Sequence, residues 1–318
     1  MPVPFSRATL NKFKDRCNLL VVLGPTASGK TKLAVGLARA LGGEIISADS
    51  RQVYRGLDIG TGKDLADYQG EGGSIPVHLL DILEPDQEFS VFDFQRRFFR
   101  VFQEISGRGV FPIMVGGTGL YLDSVLRRYR MEEVSENKHL RDQLLHEDFE
   151  ALCARLKALN PHLHNKTDIL DRKRAVRAIE IALFQKEKVD QQPEFAALSP
   201  FVIGIHPRRE ELRQRITARL KERLDAGMIE EVRRLQARGV GWERIDALGL
   251  EYRHVAYYLR GEMGFPDMVA LLNTRIHQFA KRQETWFRKM EKNGIRINWL
   301  NRPDVEAALS LIISEADE

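Results

Sequence analysis

Apolar residues run along this chain in two rhythms. Short unbroken runs, Leu19 to Leu23, Val110 to Val115 and Phe201 to Ile205, have the length and β-branched content of buried strands. Glu44 to Ser50, around Ile45 and Ile46, reads as another, as does Ile75 to Leu83 with His78 packed in the core. Between the runs the rhythm changes to every third or fourth residue. Leu33, Leu37 and Leu41 fall on one helical face, and Gly42-Gly43 supplies the stop. Ser90 to Gln103 predicts an amphipathic helix whose Phe92, Phe94, Phe98, Phe99 and Phe102 belong to a core. Arg208 to Gln236 predicts a long helix broken near Gly227, with Leu212, Ile216 and Leu220 buried. Strands alternating with helices predict an α/β fold, a parallel sheet flanked by helices.

From Arg127 to Arg174 the strand-like runs vanish and charge dominates. Leu140, Leu144, Leu145, Leu152 and Leu156 mark short amphipathic helices there. The expected organisation is a discontinuous core, 17–126 and 174–300, with a small helical insertion at 127–173. Met1 to Arg16 reads as a flexible lead-in, and the glycine-rich Asp64 to Ser74 as a surface connection.

The chemistry starts where the first strand ends. Gly24-Pro25-Thr26-Ala27-Ser28-Gly29-Lys30-Thr31 lies between a strand and a helix, the context a G-x-x-x-x-G-K-T P-loop requires. Its glycines let successive backbone N–H groups face an anion, and the helix dipole adds positive potential. Lys30 brings a point charge, and the Thr31 hydroxyl is placed for Mg²⁺. The second strand delivers Asp49 to the same sheet edge, where it acts in chemistry or caps the next turn. Gly116-Gly117-Thr118 brings bare backbone and a hydroxyl there as well. Arg51 to Lys63 is a cationic, glycine-punctuated loop suited to lie over the site. Asp81 after an apolar run has the look of an ATPase Mg²⁺ ligand, but Ile82 and Leu83 continue the run past it.

Three basic stretches lie farther on. Arg174 and Arg177 share a helical face, as a solvated surface or an anion contact. Arg215, Arg219 and Arg223 follow at four-residue steps, pairing with Glu222 or Glu230 or reaching the phosphate site. Gln278 to Lys289 interleaves cations with aromatics, a mixture that suits RNA phosphates and bases or an ordinary amphipathic helix. Net charge is only +4 over 318 residues, so clustering matters more than the sum. Two cysteines, Cys17 and Cys153, exclude a disulfide framework and fit a reducing cytoplasm. No apolar run is long enough for a membrane span.

Together these stretches resemble the tRNA dimethylallyltransferases, which place an isopentenyl group on the adenosine beside the anticodon. The likeness runs in order from about Cys17 to Leu300, through the P-loop, Ile46 to Lys63, His78 to Pro85, Gly116 to Tyr121, Arg174 to Glu180, Arg215 to Arg219 and Ala280 to Phe287. It implies a P-loop NTPase-like core acting with Mg²⁺, and dimethylallyl diphosphate as donor on residues 24–31. Lys30, Thr118 and Arg219 are then catalytic, and Asp49 is the general base. It further implies a monomer whose contacts with the tRNA anticodon stem-loop include Asp49, Ser50, Arg51, Gln52, Thr118, Arg141, Lys173, Arg174, Arg177, Lys281, Arg282 and Gln283. The chain has no Asp-Asp-x-x-Asp run of other prenyl transferases, so the P-loop stands in for it. It departs from the family's usual Gly-Tyr-Arg/Lys at Gly249-Leu250-Glu251-Tyr252-Arg253, and Val77 stands where a first His is usual. A free-nucleotide isopentenyltransferase and a nucleotide-binding RNA switch or kinase are the rival readings.

Overall fold

The strands predicted from apolar runs line up side by side and in parallel. A computed structural model describes residues 7–69, 73–134, 136–160, 171–187 and 195–317. In chain order the elements are α1 (Arg7–Arg16), β1 (Leu19–Leu23), α2 (Lys30–Leu41), β2 (Gly43–Ala48), β3 (Val77–His78), α3 (Val91–Gly107), β4 (Phe111–Gly116), α4 (Gly119–Leu126), α5 (Lys138–Leu145), α6 (Phe149–Leu159) and α7 (Arg172–Glu187). Then come β5 (Pro200–Ile205), α8 (Arg209–Asp225), α9 (Met228–Ala237), α10 (Trp242–Ala247), α11 (Leu250–Leu259), α12 (Phe265–Lys292), β6 (Asn298–Leu300) and α13 (Val305–Asp317). The sheet order is β3-β2-β4-β1-β5-β6, every pairing parallel.

Parallel strands are covered on both faces, which explains their unbroken apolar runs. Leu20 and Val22 of β1 pack towards α2 and α13, with Ile113 and Ile203. Leu19, Val21 and Leu23 pack on the opposite face against Phe94, Phe98 and Phe287 of α3 and α12. A third cluster joins the 53–57 loop to α8, α9, α11 and α12. Ser90 and Asp93 close a capping box at the start of α3.

Several expectations change. The lead-in is helical from Arg7, because Phe13 is fully buried against Phe111 and Phe201. The fifth run forms only the two residues of β3, since Leu79 and Asp81 take positive φ and turn the chain out of the sheet. His78 is half-buried and hydrogen-bonded to Glu44 at 2.7 Å, which Arg108 also grips, rather than packed among apolar groups. Within the glycine-rich connection, Leu65–Tyr68 forms a 3₁₀ turn that buries Tyr68. Residues 1–6 of the lead-in, 70–72 of the connection, and 135 and 161–170 of the insertion lie outside the described residues.

The chain divides into two units, 1–129 with 195–318, and 130–194. The second unit has its own core, in which Leu144, Leu152 and Leu156 meet Ala175, Val176 and Ile179. α7 therefore belongs to the insertion, not to a core resuming at 174. Its apolar face is what buries the insertion's leucines. Leu145 is 60% exposed, outside that core. Among the described residues, no helix is long and apolar enough to cross a membrane.

Candidate active site

Sheet register places the candidate groups together. Leu23 and Ala48 both pair with Gly116, so the ends of β1, β2 and β4 lie level. Gly116 has no room for a Cβ, which would press on the Ala48 backbone. Beyond these ends stand the P-loop, Asp49 and Thr118. The P-loop backbone turns through positive φ at Ala27 (61°) and Gly29 (86°), the alternation that gathers N–H groups into an anion-binding nest. The Ser28 hydroxyl is buried without a hydrogen-bond partner among the described residues. Thr118 Oγ1 accepts the Ser50 N–H at 3.1 Å, and Asp49 Oδ1 accepts the Arg51 N–H at 2.9 Å. Asp49 thus closes a turn and still faces the pocket.

Lys30 Nζ reaches the Pro25 carbonyl at 3.4 Å. Burial pulls its pKa down to about 8; Asp49 and Asp64 oppose the shift while Arg219 and Arg223 add to it. Those four groups come from two distant stretches of the chain, 49–64 and 219–223, and act on one ammonium. Arg219 comes from α8, hydrogen-bonds the Gly62 carbonyl at 3.3 Å and forms an ion pair with Asp64. Arg223, one turn on, donates to the Gly60 carbonyl at 3.2 Å. Arg215 pairs with Glu211 of its own helix at 3.8 Å and takes no part.

The 58–63 loop under these arginines is held from below. Glu231 accepts the N–H groups of Asp58, Ile59 and Gly60 at 2.8–2.9 Å, and the Tyr252 hydroxyl at 2.6 Å. Lys63, expected in a polyanion-facing loop, is instead 1% exposed. It donates to the Tyr54 carbonyl and Asp58 at 2.7 Å and pairs with Asp81. Asp81 is thereby consumed. Gln52 donates to the Gly62 carbonyl at 3.1 Å, joining the loop to the end of β2.

A P-loop nest, an ammonium, two guanidiniums and a carboxylate at one sheet edge suit diphosphate chemistry, and relatives narrow the reading. The family model IPP transferase matches residues 52–290, and Isopentenyl transferase matches 17–70. The chain belongs to the IPP transferase family. It is 58% identical over 290 residues to tRNA dimethylallyltransferase 2 of Trichlorobacter lovleyi, covering 91% of this chain and 94% of that protein. It is also 58% identical to tRNA dimethylallyltransferase 2 of Pelobacter propionicus, covering 90% of each. The crystal structure of a tRNA isopentenylpyrophosphate transferase from Bacillus halodurans superposes with a TM-score of 0.67 at 30% identity, covering 94% of this chain and 98% of that one.

In this family member some residues expected on the RNA face are committed elsewhere. Gln283 is buried; its Oε1 accepts the Thr26 N–H and its Nε2 donates to the Gly117 carbonyl, both at 2.8 Å. It braces the P-loop against the Gly117 turn, so both ends of its amide carry partners within the protein. In the insertion, Arg141 forms a two-pronged pair with Glu180 at 2.8 Å. Arg177 donates to the same carboxylate at 3.0 Å and to the Val134 carbonyl at 2.7 Å. Glu180 is buried, which raises its pKa, but these arginines and the Asn137 N–H outweigh burial and bring it below the usual range. Arg141 and Arg177 therefore hold the insertion together. Lys173, Arg174, Arg51, Lys281 and Arg282 are exposed, and Arg282 lies 5.9 Å over the exposed Phe279 ring.

Sequence reading missed Tyr68 and Glu251. The Tyr68 phenol hydrogen-bonds Thr31, and burial together with Asp49 keeps it protonated well above the usual range. Nothing in a Gly-rich stretch signals it except a lone aromatic among polar residues. Glu251 approaches Arg223 to 3.6 Å. Its only signal was an acidic residue in the segment that departs from the family pattern.

Proposed function

We propose that this chain transfers the dimethylallyl group of dimethylallyl diphosphate to N6 of the adenosine 3′-adjacent to the anticodon of a tRNA, giving N6-isopentenyladenosine. The observation that carries the reading is the level ending of β1, β2 and β4, which sets the P-loop, Asp49 and Thr118 at one sheet edge. As the allylic C–O bond breaks, its electron pair goes to the diphosphate, and positive charge develops on carbon. The P-loop N–H groups, Lys30 and Arg219 favour that charge on the leaving oxygens. The N6 lone pair forms the new C–N bond, and Asp49 takes the proton that N6 loses. Thr118 fixes the Ser50 turn beside that carboxylate.

Among the described residues no cluster of three or more His, Cys, Asp or Glu forms a metal cage by itself. Mg²⁺ does not need one, because it keeps waters and uses substrate phosphates with one or two protein oxygens. The hydroxyl of Thr31 in the first turn of α2 fits that demand and would hold it. Bound there, Mg²⁺ would neutralise part of the diphosphate charge.

The acceptor is tested with an anticodon stem-loop RNA and free AMP, ADP and ATP offered together with labelled donor. Label is expected in the RNA alone; label in the mononucleotides would favour the free-nucleotide reading. RNA binding should also follow the exposed cations. Arg174→Ala and Lys281→Ala are each expected to lower the salt slope of tRNA binding by roughly one unit. Arg177→Ala is expected instead to lower thermal stability, by about 1–3 kcal/mol, because the buried Glu180 carboxylate loses a partner. A slope unchanged by Arg174→Ala in filter binding would return that residue to a solvated face.

Donor binding should depend on pH through Lys30. Its pKa lies below the ordinary lysine value, so above about pH 8 the protein alone loses the charge and must take up a proton with the donor. Donor affinity without tRNA is expected to be about tenfold weaker at pH 9 than at pH 7. Lys30→Arg should flatten that profile in calorimetry. A flat profile for the unaltered protein would contradict the assignment.

A further inference from the structure

A guanidinium carries five N–H donors, and burying one calls for matching acceptors. The Arg223 side chain is 12% exposed, yet among the described residues it meets few acceptors: the Gly60 carbonyl at 3.2 Å and Glu251 at 3.6 Å, both from Nη1. The second distance suits an ion pair and is too long for a strong hydrogen bond. Nε is shut off from solvent with no hydrogen-bond partner among the described residues. Nη2 occupies the space that a Cβ on Gly62 would fill, and Arg219 Nη2 borders the same space, so the glycine lets two like charges come close together. Burial first, then Arg219, pulls the Arg223 pKa down, while burial raises that of Glu251. Both partners of this pair are held at a disadvantage.

Such an arrangement is poor as a strut. Asp64 already answers Arg219, and the Gly62 carbonyl is also held by Gln52. Arg223 adds a third cation, beside Lys30 and Arg219, to a pocket whose carboxylates are Asp49, Asp64 and Glu251. What this surplus of unmatched donors lacks is a multivalent oxyanion. We propose that Arg223 is a further diphosphate-binding residue, held by Glu251 until the donor's diphosphate takes over its guanidinium. The inference rests on the P-loop as the diphosphate site. It makes Glu251 a positioning residue that never touches the donor, and it gives the departing diphosphate a second two-pronged partner beside Arg219.

The test is calorimetric binding of inorganic diphosphate with Mg²⁺ to the full chain. The unaltered protein, Lys30→Ala, Arg223→Gln, Glu251→Gln and the double variant Arg223→Gln/Glu251→Gln are compared. Arg223→Gln is expected to weaken binding about tenfold or more, as loss of a charge-assisted contact does. Glu251→Gln is expected to tighten it several-fold, because Arg223 is no longer held by a competing anion. The double variant removes both charges together, so neither is left buried without its counter-charge. It should bind as weakly as Arg223→Gln. Unaltered affinity in the double variant, with binding still lost in Lys30→Ala, would overturn the inference and leave the P-loop assignment standing. Absence of any Lys30-dependent binding in the unaltered protein would overturn both.

Discussion

Asp49→Asn is expected to lower single-turnover transfer to tRNA on the order of a hundred- to ten-thousandfold, the usual range for a positioned general base. Asparagine keeps the size of the side chain and can still accept the Arg51 N–H that closes the turn at 2.9 Å. The loop should therefore keep its shape. What is lost is a group able to take the N6 proton as the C–N bond forms. Donor affinity should survive, because the proposed diphosphate grip lies on the P-loop and the arginines of α8. A different role for Asp49, as a Mg²⁺ ligand directly or through water, predicts otherwise. In that case Asn weakens Mg²⁺-dependent donor binding too, and excess Mg²⁺ partly restores turnover. Running both proteins across a Mg²⁺ titration separates the roles. Near-normal rates in the variant would remove Asp49 from the chemistry.

Lys30→Ala and Arg219→Ala are each expected to cut kcat by about a hundredfold or more, as loss of one preorganised charge donor does. The interactions that matter are those strengthened as the C–O bond breaks, so kcat should fall further than KM rises. Arg219 carries an added consequence. Its Asp64 pair and Gly62 contact anchor the loop, and Ala frees both. Arg219→Lys keeps a charge but loses the fork geometry, and it is expected to recover only part of the rate. If Arg219→Ala changed neither kcat nor the donor KM, the arginine would serve only to hold Asp64.

The parts of the fold written in local pattern were legible. Unbroken apolar runs marked β1, β2, β4 and β5, because strands covered on both faces cannot show alternation. The P-loop was legible for a similar reason: its residues are contiguous, and their chemistry is carried by the backbone. Two-residue β3 was over-read, since apolar side chains continue after Leu79 while the backbone has already turned. The basic residues were the least legible. Charge pattern identifies a guanidinium but not its partner, and Arg141 finds Glu180 across 39 residues. Arg177 did carry a signal, an i,i+3 spacing to Glu180 that marks a helical pair. Gln283 and Lys63 show the same gap. Each is polar in a basic or polar stretch, and each is buried because its partners come from other segments, backbone groups for Gln283 and the Tyr54 carbonyl with two carboxylates for Lys63.

The central claim is that an alkyl group, and not a phosphoryl group, leaves the bound diphosphate for a tRNA adenine. The most direct test is mass spectrometry of tRNA digested to nucleosides and position-mapped fragments after incubation with dimethylallyl diphosphate and Mg²⁺. The predicted result is N6-isopentenyladenosine at the position 3′ to the anticodon, with one diphosphate released per modified tRNA. Unmodified tRNA beside alkylated mononucleotides, or phosphate transferred from ATP, would contradict it.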